Sequence, residues 1–307
     1  MSKYIKLITQ AYVNNSTEID KIKVLTIALN ESFSYNEPMG ALQKYYKQSA
    51  TYKIFSGVFR ELENFLDTVG KITIKFLELS KALLTFQIDR KELMEQCHRF
   101  GVTSLPITLS IVGMTSIIVS SQVADEMVKQ GGGHLVGLLM TMLIVREVGA
   151  IMSGFAITSM IGSSMASELA TMRVTEQIDA MEVLKVNPVE FLFVPRVLSG
   201  ILMMPVIVII ASVVGVLAGA ITSALTTDLS FIAYFDSAWL GVYMKDLSVS
   251  LLKAVAFGGT IALISCTCGF YASGGAKGVG LATTKAVVWS FVSIVIWDMI
   301  FAIAFFF

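Results

Sequence analysis

"GVTSLPITLSIVGMTSIIVSSQVA" occupies residues 101–124 and contains no charged side chain. At 1.5 Å per residue a helix of this length reaches about 36 Å, enough to cross the roughly 30 Å hydrocarbon core of a bilayer. Four more apolar segments follow, near 132–170, 190–225, 250–273 and 286–307. The first is about 101–125. The uncharged run 197–227 is longer than one crossing needs, so its excess is expected as tilt or as a short helix at the far surface. The composition agrees with the segments. The 307 residues are 55% hydrophobic and 15% charged, with a mean hydropathy of +0.73. A soluble domain seldom combines these values, so the expected fold class is all-α, a polytopic membrane protein with about five transmembrane helices.

Residues 1–62 are polar and carry no apolar core of a signal peptide, which leaves them as an extension of unknown role on the side of synthesis. Residues 63–88 have helical periodicity. Phe65, Val69, Ile72, Phe76, Leu79 and Leu83 recur at spacings of four and three, with Lys71, Lys75 and Lys81 off that stripe. Charges this frequent make a crossing costly. The segment is expected to lie in the interface with its lysines toward headgroups.

Basic residues set the orientation. Fourteen Lys/Arg precede the first span and one follows it; the later connections hold three, one and two. The alternation puts 1–100, 170–196 and 274–286 in the cytosol and the C-terminus on the opposite side. Net charge is zero, which gives no reason to invoke nucleic acid. The three cysteines and two isolated histidines make no metal spacing, and Cys266 and Cys268 read as small residues of an apolar helix.

One cytosolic connection is unusually charged: "MRVTEQIDAMEVLKVNPVEF", 172–191. Thr175 is the expected N-cap, with Glu176 and Asp179 in the first turn. A helix over 174–187 would place Val174, Ile178 and Met181 on one face, and Glu176, Asp179 and Glu182 largely on another. Asn187-Pro188 would end it. So short a helix is marginal alone in water, and its apolar face needs a receiver, either this chain or a soluble partner. An energy source would have to come from such a partner. The chain has no phosphate-binding loop, and "GGAKGVG" (274–280) has no Ser/Thr after its lysine.

"SELATMRVTEQIDAMEVLKVNPVEFLFVPRVLSGILMMP" (167–205) resembles the signature of MlaE-type permeases, the membrane subunits of ABC transporters that work with MCE proteins. "REVG" (146–149), "SLLKAVAFG" (250–258) and "GGAKGVGLATTKAVV" (274–288) extend the resemblance over about 63–307. The chain departs from the family pattern at Ala150, at Ser159-Met160 and at Ala170. The resemblance implies that the 174–187 helix is a coupling helix seated in an ATPase subunit, with Thr175, Glu176, Gln177, Ile178, Asp179, Met181 and Glu182 at the contact. It implies a homodimer working with an ABC ATPase dimer, which binds the ATP and Mg, so that no cofactor or metal is expected in this chain. A periplasmic MCE-domain protein and a small STAS-domain protein are further implied partners. The implied substrate is phospholipid or a related lipid, with Val119, Val123, Met142 and Val148 expected along its path. The implied location is the bacterial inner membrane, with the C-terminus periplasmic.

Four ionisable residues fall inside the expected spans: Arg146, Glu147, Lys253 and Asp298. Each costs about 2.5–3.5 kcal/mol at a helix centre, so they should pair. The expected pairs are Arg146 with Asp298 and Glu147 with Lys253, either as structural glue or as the wall of a headgroup pocket. No nucleophile–base–acid set surrounds them, so no catalytic residue is assigned. The competing reading is an ion-coupled secondary carrier that uses these charges as a relay; it would favour two related halves, and none is visible.

Overall fold

The computed structural model describes residues 50–85, 90–227 and 229–306, and most of the expected extension 1–62 lies outside them. Residues 69–307 form one compact unit. The described residues form helices and no strand. Helix α1 is Ala50–Thr85. It is followed by α2 (Arg90–Lys129), α3 (Gly133–Val174), α4 (Gln177–Val183), α5 (Val189–Thr226), α6 (Phe231–Leu240), α7 (Met244–Phe270) and α8 (Gly275–Phe306). Five of them, α2, α3, α5, α7 and α8, are long and apolar enough to cross a membrane. The chain is an all-α polytopic membrane protein, as the apolar runs require.

The spans exceed their apolar cores because the charged flanks are helical too. α2 begins at Arg90 rather than near 101, and α7 at Met244 rather than near 250. The long run 197–227 stays in one helix through Thr226, and the short far-end helix is a separate element, α6. α1 starts thirteen residues before the expected 63.

α5 lies at the centre, between α2 and α7, and α7 also packs on α3 and α8. Small residues permit these approaches, since apolar surface alone does not drive helices together in lipid. Gly215 and Gly219 of α5 face Ser116 and Ser120 of α2. The Ser120 hydroxyl donates to the Gly219 carbonyl at 2.9 Å. Gly162 of α3 faces Ser265 and Ile261 of α7. At the α5–α7 crossing, a Cβ on Gly200 would stand 2.5 Å from the Gly258 carbonyl oxygen. The main core gathers Ile157, Leu169, Phe193, Met204, Phe257 and Ile261 from three spans. A smaller cluster, with Met140, Ile144, Ala220 and Tyr234, sits where α6 packs.

α1 shows a different inner face from the expected one. Leu79 and Lys75 are buried, and Ile72 and Ala82 pack beside them. Ile74, Phe76 and Leu77 are more than half exposed. Lys75 therefore points into the protein, not toward headgroups, and apolar side chains of the outer face are left for lipid.

Candidate functional site

The intramembrane charges converge from three helices. A π-helical turn, Ile144–Val148, carries Arg146 and Glu147. Single π turns inside long helices shift the side-chain phase and are frequent at functional sites. Here the two neighbours diverge. Arg146 Nε lies 2.7 Å from Asp246 Oδ2 in the first turn of α7. Glu147 Oε2 accepts from Lys253 Nζ at 2.9 Å. The same ammonium donates to Asp298 Oδ1 of α8 at 2.7 Å and to the Arg146 carbonyl at 3.2 Å. Lys253 is fully buried, whereas the Glu147 side chain keeps 37% exposure and Asp298 20%. The expected Glu147–Lys253 pair is present. The expected Arg146–Asp298 pair is not: Asp298 belongs to Lys253, and Arg146 reaches along the bundle to Asp246. Asp246 precedes the apolar run expected near 250–273, because the polar pair Lys245–Asp246 hides the start of α7.

The charged connection is also rebuilt. α4 spans Gln177–Val183, shorter than 174–187. Thr175 does not cap it. Thr175 closes α3, its hydroxyl donating to the Thr171 carbonyl at 2.9 Å. Glu176 takes the position before α4 in the left-handed region, with φ of 59°. At the other end Lys185 is left-handed as well, with φ of 60°. The Val186 amide donates to the Met181 carbonyl at 2.9 Å and the Lys185 amide to Glu182 at 3.0 Å. That pair of bonds satisfies carbonyls of the last turn, a closure usually built on glycine. Asn187 acts after the helix, its side chain accepting from the Val189 amide at 3.0 Å.

Ile178 is fully buried and Met181 packs on the core, so this chain receives the expected apolar face. Glu176, Gln177, Asp179 and Glu182 are exposed. Asp179 pairs with Arg173. At the tip Val183 is 83% and Leu184 74% exposed. These two are the most exposed apolar residues of the connection, and the sequence does not single them out.

Glu168 was likewise passed over. It lies 3.3 Å from Arg99 of α2 and 3.4 Å from Arg196 of α5, and Arg196 is almost wholly buried. One carboxylate thus joins three spans at the end that carries α4. The signal was present as two arginines beside the uncharged runs, but nothing in their spacing named the partner. Val119 and Val123 pack on the smaller cluster beside α6, and Met142 and Val148 are half-buried in α3. No metal-binding group of His, Cys, Asp and Glu occurs among the described residues.

This arrangement defines a polytopic helical membrane protein with paired charges inside its bundle and a short acidic helix exposed at one end. The chain matches the family model described as Permease MlaE over residues 93–304. A probable ABC transporter permease protein of Rickettsia felis is 34% identical over 246 residues, covering 76% of this chain and 95% of the relative. One from Synechocystis is 34% identical over 214 residues, covering 70% and 81%. One from Porphyra purpurea is 32% identical over 228 residues, covering 74% and 87%. The chain belongs to the MlaE permease family, and it is a permease of the ABC transporter class.

Proposed function

We propose that the chain is the membrane subunit of a lipid-moving ABC transporter, acting as a homodimer with two ATPase subunits in the bacterial inner membrane. It exchanges phospholipid or a related lipid with a periplasmic MCE-domain protein. The observation that carries the reading is α4. Its buried Ile178 roots it in the bundle, while Val183 and Leu184 stand exposed among acids. A helix held rigidly at its root and bare at its tip fits docking into a groove of a soluble subunit. Movement of that subunit would pass through Ile178 to α3 and α5. The family supports the ATPase; the apolar span surfaces suit acyl chains. Val119, Val123, Met142 and Val148 remain the proposed lipid path, and a small STAS-domain protein a proposed accessory. With ATP and Mg on the partner, the chain itself performs no chemistry.

The test is purification of the tagged full chain from its native host, with identification of co-purifying subunits and lipids. An ABC ATPase, an MCE-domain protein and bound phospholipid are the expected result. Transport of a substrate without any ATPase would overturn the reading in favour of an ion-coupled carrier.

A further inference from the structure

The charges gathered around Lys253 and Arg146 do not sum to zero. Arg146 and Asp246 cancel. Lys253 faces two carboxylates, Glu147 and Asp298, which leaves one negative charge in excess. Neither α2 nor α5 adds a cation within its apolar run. α5 is uncharged from Val197 to Thr227 and α2 from Gly101 to Ala124. On α7 the remaining neighbour, Lys245, is exposed in the first turn, two turns or more away from Lys253. An uncompensated charge inside a low-dielectric bundle is expensive, and titratable groups there neutralise instead.

We propose that Glu147 binds a proton, so that the cluster at rest is a neutral carboxylic acid beside a Lys253–Asp298 ion pair. The hydrogen bonds agree with this assignment. An ammonium has three N–H donors. Lys253 donates to Asp298 Oδ1 at 2.7 Å, to Glu147 Oε2 at 2.9 Å and to the Arg146 carbonyl at 3.2 Å. The shortest goes to the carboxylate that stays ionised, since charge-assisted bonds contract. Glu147 needs only one oxygen to accept from Lys253, and its carboxyl can carry the proton on the other. Its side chain is the most exposed of the three, which gives the proton a route in and out. The site is a one-proton store where three spans meet.

Infrared difference spectroscopy on the full chain in lipid nanodiscs tests it. At neutral pH a protonated-carboxyl band should be present, shift in D2O and vanish in Glu147→Gln. Thermal melting supplies a second readout. Glu147→Gln, which copies the neutral acid, should melt close to the parent chain. Asp298→Asn should melt close to the parent too, but only by letting Glu147 ionise, so its carboxyl band should disappear. The double variant strands Lys253 and should melt far lower. Absence of the band in the parent chain, or a large loss of melting temperature in Glu147→Gln alone, would show that both carboxylates are ionised and overturn the proposal.

Discussion

The ammonium of Lys75 lies 4.3 Å from the ring centroid of Phe270. Phe193 and Tyr271 stand within 6.0 Å of the same nitrogen, and Glu78 accepts from it at 2.7 Å. Arg173, at the end of α3, approaches the same Phe270 ring at 5.8 Å. α1 is therefore fastened to the ends of α5 and α7 by a desolvated cation in an aromatic cage, next to the segment that leads into α4. A desolvated cation–π contact contributes about 2 kcal/mol. Lys75→Met should keep the packing of the stem and lose about 1–2 kcal/mol, with faster proteolysis of α1. Lys75→Arg should retain most of both. Equal protease resistance in Lys75→Met and the parent chain would show that the cage adds nothing to the burial of Ile72 and Leu79.

The α5–α7 crossing leaves no room at Gly200. Its Cβ would fall 2.5 Å from the Gly258 backbone, which has no flexible end to move aside. Gly200→Ala should cost about 1–3 kcal/mol as an overpacked contact. Gly280 of α8 is the control, with nothing within 4 Å of its Cβ. There an alanine should be neutral, or gain up to about 1 kcal/mol from helix propensity. Thermal melts of the two variants in one detergent separate crowding from any general effect of removing glycine.

Arg146 and Asp246 supply a pairing test. Asp246 is 2% exposed, so Asp246→Asn strands the guanidinium at a cost of about 3–5 kcal/mol. Arg146→Asp with Asp246→Arg should recover part of that loss. Arg146→Asp with Asp298→Arg should not, because Asp298 serves Lys253. Equal recovery in both swaps, read as folded yield from membranes, would reject the observed partners.

The contrast between these pairs shows what the sequence could carry. Five apolar runs declare five spans, because lipid tolerates few alternatives. Intramembrane charges declare that they are paired, for the same reason. Which charges meet is a tertiary matter. Glu147 and Lys253 could be matched by elimination. Asp246 could not, since it sits where a span and its connection look alike in composition. α1 misled in the opposite direction. Its apolar stripe from Phe65 to Leu83 is real, but both sides of an interfacial helix can be apolar. Burial instead follows Ile72, Lys75, Leu79 and Ala82, because the cage rings come from residues more than a hundred positions away. Thr175 is a suitable cap by type, yet α3 simply continues far enough to claim it.

The orientation read from Lys/Arg counts can be checked at two exposed positions. Ala180 lies on α4, and Leu240, 65% exposed, ends α6 at the opposite end of the bundle. Cysteines introduced there should react with a membrane-impermeant thiol reagent from opposite sides, position 240 from outside and position 180 only after the membrane is opened. Labelling of both from outside would break the arrangement.

The tip of α4 should discriminate between root and contact. Ile178 is buried, so Ile178→Asp places a carboxylate in the core and should prevent stable folding. Val183 and Leu184 are exposed, and exposed substitutions usually change stability by no more than about 0.5 kcal/mol. Val183→Ser with Leu184→Ser should therefore insert and melt like the parent chain. If the tip fills a groove of an ATPase subunit, its loss removes buried apolar area from the centre of that contact. About 1.4 kcal/mol there is a tenfold change in affinity, and two side chains should exceed it. Glu176→Lys is expected to weaken the same contact by charge, more at low salt than at high salt. Asp179→Lys would act twice, since it also releases Arg173. Co-purification of the ATPase and transport in reconstituted vesicles are the measurements. Normal melting with lost association places the coupling contact at Val183 and Leu184. Unchanged association and transport in the double serine variant would remove α4's tip from the mechanism and return its exposed residues to the membrane surface.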